Sequence, residues 1–506
     1  MMKIMKKFSL IFTIIFSLFI GACEDILNQE PLANPTVGSF YTNELEATLA
    51  VNAVYDMLGS TLMYKRGVIA LSMMEDHMYK ATPPADGPGY SEINEFNIDP
   101  TNPIILDWYT GLYIGIDRAN IALEKIPLIP DVELDPVRRS RLIAEAKFLR
   151  GLYYFNLVKL FGEVPIILSS ASNTNTPGVA KSTEADVWAQ VETDFNDALP
   201  DLPEQYSGND IGRATSGAAK TFLAKAHMWQ NEHDQALPLL EEVINSNIYE
   251  LSDNYVDLFV EGVDTNEEIF VVGFNNNGTG SFSNVNENSL WQRYIGVRGT
   301  GNQINAPSGL PGFGFLMATD NITDRYEPND ERRYVNLWEP GKVSPATGNT
   351  FNPVATGTLG RYPTDIGVMK WWWNNQGWNG DTGIDLSLTR YADVLLLHAE
   401  VVNEISGPVT AAYNSINLVR DRAGVDDLPL GLNQDEFFDA VLDERANEFE
   451  FEFQRWWDLS RTKTAEEAFV GAEGKAAFDP QKHYKWPIPQ QAIQRNTSLE
   501  QNSFYK

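Results

Sequence analysis

Arg390-Tyr-Ala-Asp-Val-Leu-Leu-Leu-His-Ala-Glu400 opens the stretch that decides the fold, because its apolar residues continue through Leu395 to Glu404 and are answered by Ala411 to Arg420. The spacing predicts two antiparallel helices, with the small residues Ala399 and Ala411, twelve positions apart, at their crossing. The same offset recurs upstream. Leu223-Ala224 through His227 reads as one helix, and Ala236, Leu240 and Val243 as the next, with a turn near Asn231 to Asp234. Small side chains at Ala224 and Ala236 let two backbones approach.

These offsets resemble tetratricopeptide helical hairpins, although any packed helical pair needs small residues where it crosses. Further apolar stripes run through Leu112, Ile116, Ala119 and Leu123, and through Leu142, Ala146, Leu149, Tyr153 and Leu157, the latter ended by Gly162 and Pro165. Leu45, Leu49, Ala53 and Leu58 give a shorter stripe near the N-terminus. The expected fold class is therefore all-α. Between about residues 267 and 385 the texture changes. Helical periodicity gives way to Gly, Asn, Pro and Thr around Asn275 to Gly280, Gly299 to Gly314 and Pro340 to Gly360, with short β-type runs such as Ile269 to Phe274. A long irregular stretch held on a rigid frame is suited to presenting side chains to a ligand.

The chain starts with Lys3, Lys6 and Lys7, an apolar run from Phe8 to Ile20, and Gly21-Ala22-Cys23. This is the pattern of a secretory signal peptide, and its apolar run is shorter than the ~20 residues that span a bilayer. Ile20 to Cys23 resembles a lipobox, which makes Cys23 the expected lipid anchor. The alternative is an ordinary signal peptide with an incidental cysteine. Cys23 is the single cysteine, so no disulfide supports the fold. Losing the three signal lysines takes the formal charge from −31 to −34, which makes nucleic acid an excluded partner. The expected division is a signal peptide over 1–22, a lipidated tether over 23–40, a helical region over 41–266, a loop-rich ligand-binding region over 267–385 and a C-terminal helical part over 386–506.

No catalytic residue or cofactor is expected. The five histidines, His77, His227, His233, His398 and His483, lack the spacing of a zinc protease. There is no Gly-x-Ser-x-Gly elbow, and Gly471-Ala-Glu-Gly-Lys475 lacks the spacing and following hydroxyl of a phosphate loop. No EF-hand spacing is present, so no metal is expected. Aromatic residues carry more information than carboxylates, because sugar rings lay apolar C–H faces on aromatic planes while amides and acids bond their hydroxyls. The irregular region supplies Trp291 and Tyr294, then Trp371, Trp372, Trp373 and Trp378 among Asn and Gln. Successive side chains of an extended segment alternate faces, so Trp371 and Trp373 share one side and Trp372 takes the other. Burying all three requires cover on both faces. The competing reading is that the run plugs the junction between the loops and the helix starting near Leu388.

Several segments, in order, resemble the SusD/RagB family: Arg141 to Arg150 with Tyr153-Tyr-Phe155 and Leu160-Phe-Gly-Glu-Val-Pro165; Arg213 to Ala219; Arg390 to Glu400; Asn417 to Arg420; Glu444-Arg445; Trp457-Asp-Leu459; and Trp486-Pro-Ile-Pro489 with Gln501 to Phe504. The resemblance implies four tetratricopeptide-like units, an irregular ligand-binding region, and a surface lipoprotein of the outer membrane. Such a protein lies as a lid over a SusC-like TonB-dependent transporter and binds a glycan. Glu24 and Asp25 resemble the acidic signal for surface export in such lipoproteins. By location in the family, Asp76, Tyr79 and Tyr90 are candidates for a second wall of the ligand site. The charged motif residues, Arg141, Glu145, Arg150, Arg390, Asp393, Glu400, Glu444, Arg445 and Arg455, read as scaffold pairs. The rival functions are a peptide-binding or assembly subunit of the transporter and a lipid-anchored glycosidase.

Overall fold

The computed structural model describes residues 40–171, 178–263, 265–275, 289–296, 313–339, 341–343, 366–371, 373, 383–472 and 474–506. The longer helices are α1 (Glu44–Asp56), α2 (Pro88–Asn94), α3 (Pro103–Lys125), α4 (Pro136–Phe161), α5 (Glu184–Ala198), α6 (Ser216–Trp229) and α7 (His233–Asn245). After the loop-rich region come α8 (Tyr391–Ser406), α9 (Thr410–Arg422), α10 (Gln434–Glu448) and α11 (Arg455–Thr462). Local chemistry sets their ends. Asn102 and Asp135 cap α3 and α4 through their side chains, each with a proline in the first turn. Gly162, at φ +71°, stops α4, and Asn433 with Glu436 forms a capping box on α10.

Neighbours in sequence pack as neighbours in space: α3 on α4, α4 on α5, α5 on α6, α6 on α7, and α8 on α9. A link from α7 to α8 joins the two halves across the irregular excursion between them. The stripe Leu142, Ala146, Leu149, Tyr153 and Leu157 is wholly buried, and Ala224 and Ala236 sit at the α6–α7 crossing without solvent exposure. The fold is all-α, with three two-stranded sheets among the described residues.

Two expectations at the level of single residues fail. Leu45 and Leu49 are exposed; α1 instead buries Ala47, Ala50, Val51 and Val54, which have the same helical spacing. Small side chains allow α1 to approach Ala122 and Ala146 closely, and that contact outweighs the greater apolar area of the leucines. In the α8–α9 hairpin the buried small residue is Ala412, one position past the exposed Ala411.

The irregular region is closed by a sheet. Strand β2 (Glu268–Val272) runs antiparallel to β6 (Leu386–Arg390), so the two ends of the excursion are hydrogen-bonded to each other. A second pair, β1 (Met78–Lys80) with β3 (Leu316–Ala318), sews the excursion to the N-terminal half. The third pairs β4 (Leu337–Trp338) with β5 (Gly367–Val368).

Candidate functional site: an aromatic wall on a charged joint

Behind the loops lies a dense set of ion pairs. Arg390 donates to Glu267 at 2.5 Å, to Glu448 at 2.5 Å and to Glu452 at 2.9 Å. Arg332 binds Asp330, Glu444 and Glu448, and Arg420 and Arg422 reach the same glutamates from α9. Lys370, fully buried, donates to Glu452 and to the carbonyl of Glu450. Burial pulls its ammonium down to about 8 although Glu452 opposes the change. Burial alone would raise the Glu448 carboxyl, but Arg422, Arg390 and Arg332 hold it well below the ordinary carboxylate range. Elsewhere Arg150 forms a two-pronged pair with Asp194, Arg445 joins Asp393 to Asp458, and Arg461 grips Glu400. The charged motif residues therefore act as scaffold, fixing helices and loops in register through paired, hydrogen-bonded contacts.

In front of this joint the backbone assembles a different surface. The amide of Ala81 donates to the carbonyl of Phe315, that of Phe315 to Tyr294, and that of Gly314 to Gly296, so three remote segments lie side by side. They gather Tyr90, Tyr294, Phe313 and Phe315. Ring centroids are 6.2 Å apart for Tyr90 and Tyr294, 5.1 Å for Tyr294 and Phe315, and 5.3 Å for Tyr294 and Phe313. Tyr90 and Phe315 are buried at the back, Tyr294 is half-buried, and Phe313 stands at the front. Burial raises the Tyr90 hydroxyl above its ordinary value, so it stays a neutral donor. Arg66 and Asp107, paired at 3.3 Å and partly exposed, supply polar groups beside the tyrosines. Gly87, at φ +73°, is required where the Ala81 to Tyr90 loop meets the wall, because a Cβ there lies 2.7 Å from the Phe315 ring.

The structure thus brings together two residues expected from opposite halves of the chain, Tyr90 and Tyr294. Arg66, Asp107 and the packing role of Phe315 were missed: Arg66 lies in an irregular turn, and Asp107 sits in a helix where nothing in the spacing marks it. Trp373 forms a second half-buried patch, 5.5 Å from the exposed Tyr334, with its indole N–H donating to the Val335 carbonyl.

Other candidates are corrected by burial. Trp291 has no exposure and packs against Phe274, Trp371 and Phe453. Trp371 is buried and donates to the Phe451 carbonyl, which is the plugging role. Neither ring offers a face to a sugar in this conformation. Asp76 is buried against Arg455, at 2.9 and 3.0 Å, and against His77, pinning the N-terminal half to α11. Tyr79 is buried in β1 opposite Met317. Cys23, Trp372 and Trp378 lie outside the described residues.

Among the described residues, the grouping able to hold a metal is Glu192, His227 and Glu232, whose ligand atoms lie within 4.8 Å of one another. His227 already bonds Glu232 at 2.7 Å, and Glu192 accepts from Gln230 at 2.6 Å. No helix among the described residues is long and apolar enough to cross a membrane.

The SusD family model matches residues 276–505, and the family described as "Starch-binding associating with outer membrane" matches residues 51–228. The chain belongs to the SusD/RagB family. Among its relatives is "SusD-like protein P2" of Formosa agariphila, 25% identical over 527 residues, with 99% of each chain covered. "Starch-binding protein SusD" of Bacteroides thetaiotaomicron is 23% identical, over 79% of this chain and 78% of that one. The solved structure of a "Laminarin binding SusD-like protein" superposes with a TM-score of 0.79 at 27% identity, covering 92% of this chain and all of the other. This SusD/RagB member therefore shares the helical frame of its family along nearly its whole described length.

Proposed function

We propose that this chain is a surface glycan-binding lipoprotein, anchored through an acylated Cys23, that captures an oligosaccharide reversibly and passes it to a SusC-like TonB-dependent transporter in the outer membrane. The observation that carries the reading is the wall built by Tyr90, Tyr294, Phe313 and Phe315 with Arg66 and Asp107 beside it. Half-buried rings next to hydrogen-bonding groups suit the apolar face and hydroxyl rim of a sugar. The starch and laminarin named for its relatives support a glucan as the first ligand to try. Trp373, beside Tyr334, is assigned to a second contact patch for the ligand, and Trp378 is a candidate from the sequence alone. Trp291, Trp371, Asp76 and Tyr79 support it from behind.

The reading is of binding without turnover, supported by the starch and laminarin binding named for its relatives and by the pairing of Asp107, beside the tyrosines, with Arg66. The test is calorimetry of the mature chain against soluble glucan oligosaccharides, with chromatography of the sugar afterwards. The expected result is saturable binding, weakened about tenfold or more in Tyr294→Ala, with the sugar recovered intact. Shortened sugar, or unchanged binding in Tyr294→Ala and Trp373→Ala alike, defeats the assignment. For the anchor, Cys23→Ala is expected to move the protein from the membrane fraction to the soluble fraction.

A further inference from the structure

Helices α4, α6 and α11 and strand β6 line a cavity of about 60 Å³ that shares no residue with the aromatic wall. Lys159 of α4 is buried beside it. The ammonium lies 3.7 Å from the centroid of the Trp457 ring and 4.3 Å from that of Phe155. It makes no hydrogen bond or ion pair with any described residue.

Every other charge lining the cavity is matched. Lys225 is paired with Asp393, Arg445 with Asp393 and Asp458, Arg461 with Glu400, and Glu452 with Lys370 and Arg390. One positive charge is left over. Contact with two ring faces offsets only part of the cost of desolvating an ion. Burial and the nearby Lys225 push the Lys159 ammonium well below the ordinary lysine value; Asp393 opposes this in part and Lys485 adds to it.

We propose that this cavity is a small-anion site, in which a chloride- to acetate-sized monoanion sits against the Lys159 ammonium. Its volume suits such an ion, since a single water needs only about 10–15 Å³ measured in the same way. Trp229 and Arg461 also line an adjoining surface cleft of about 350 Å³ that contains Lys463 and Lys485, which provides a route from solvent. Of the acids in that cleft, Glu184 is bound to Lys485 and Glu400 to Arg461, while Glu404 is exposed at its rim. In a chain of charge −31 this cleft balances Glu184, Glu400 and Glu404 with Arg461, Lys463 and Lys485, so it lacks the acidic excess of the chain as a whole.

The test uses the whole mature chain exchanged into sodium gluconate, whose anion is too large for the cavity. Chloride or formate is then titrated in at constant ionic strength while the melting temperature is followed. The expected result is a saturable rise of about 2–4 °C that is absent in Lys159→Met. Crystals grown in bromide are expected to give an anomalous peak beside the Lys159 nitrogen. Equal responses of the wild type and Lys159→Met overturn the proposal, as does a bromide map with no peak in the cavity. Should Lys159→Met fail to fold, the bromide map of the unaltered chain decides alone.

Discussion

The charged joint and the aromatic wall both draw residues from the loop-rich region and are built on opposite terms. At the joint, Arg332, Arg390, Arg420 and Arg422 share Glu267, Glu444, Glu448 and Glu452, and all of these but the partly exposed Arg422 are buried. At the wall, Tyr294 and Phe313 keep part of their rings in water, and the Arg66–Asp107 pair beside them is also partly exposed. A fully matched buried network tolerates no change and offers nothing to a ligand. A half-covered wall sacrifices burial and keeps surfaces free for binding. The difference separates residues that hold the molecule together from those available to a sugar, and it predicts that stability and binding respond to different substitutions.

The largest effect should come from the joint. Arg390→Met leaves Glu267, Glu448 and Glu452 short of a partner, with an expected loss of about 3–5 kcal/mol in chemical denaturation. A loss below about 1 kcal/mol would show that the joint is not the keystone of the frame. Acid gives the next effect. Burial, with Lys482 nearby, holds the His483 ring down at about 4, whereas an unfolded histidine titrates near 6.5. The unfolded chain therefore takes up the proton first. Stability from this group is complete above about pH 6.5 and is progressively lost as pH drops toward 4. Urea midpoints at pH 7, 5.5 and 4.5 measure it, and His483→Gln should flatten the slope over that window.

At the wall the order reverses. Tyr294→Ala should weaken saccharide binding about tenfold or more while altering stability by only about 1 kcal/mol, read by calorimetry and by the urea midpoint on the same sample. The smallest effect is expected for Leu45→Gln combined with Leu49→Gln. Both leucines are exposed, so the change in stability should stay within about 0.5 kcal/mol for each. A loss of several kcal/mol would restore them to the core.

Those leucines also mark where reading the sequence stops. Long stripes such as Leu142 to Leu157 are legible because the second half of α4 is apolar and buried on every side, so no choice of face is needed there. In α1 both faces carry apolar residues, and the choice rests on which partner helix permits close approach, which a single helix does not encode. The same holds for Ala411 and Ala412, adjacent residues of one type separated only by the crossing geometry. Motif charges such as Arg390 and Glu448 were legible as scaffold through their resemblance to a family, but the sharing of Glu448 among three arginines emerges only in three dimensions. Aromatic composition marked a region and could not rank its rings. Trp291 and Tyr294 are three residues apart, yet one is sealed in the core and the other borders solvent. Arg66 and Asp107 join the wall through contacts across 41 residues, with no local pattern to announce them.

The most direct test of the account is a paired measurement on the mature protein and on Tyr294→Ala: saccharide affinity by calorimetry, with the sugar recovered and sized afterwards. The account predicts that the wild type binds at least one oligosaccharide and returns it unaltered, and that the variant folds with near-normal stability but binds about tenfold or more weakly. Equal affinities in the two proteins, or fragments of sugar in the wild-type sample, would contradict it.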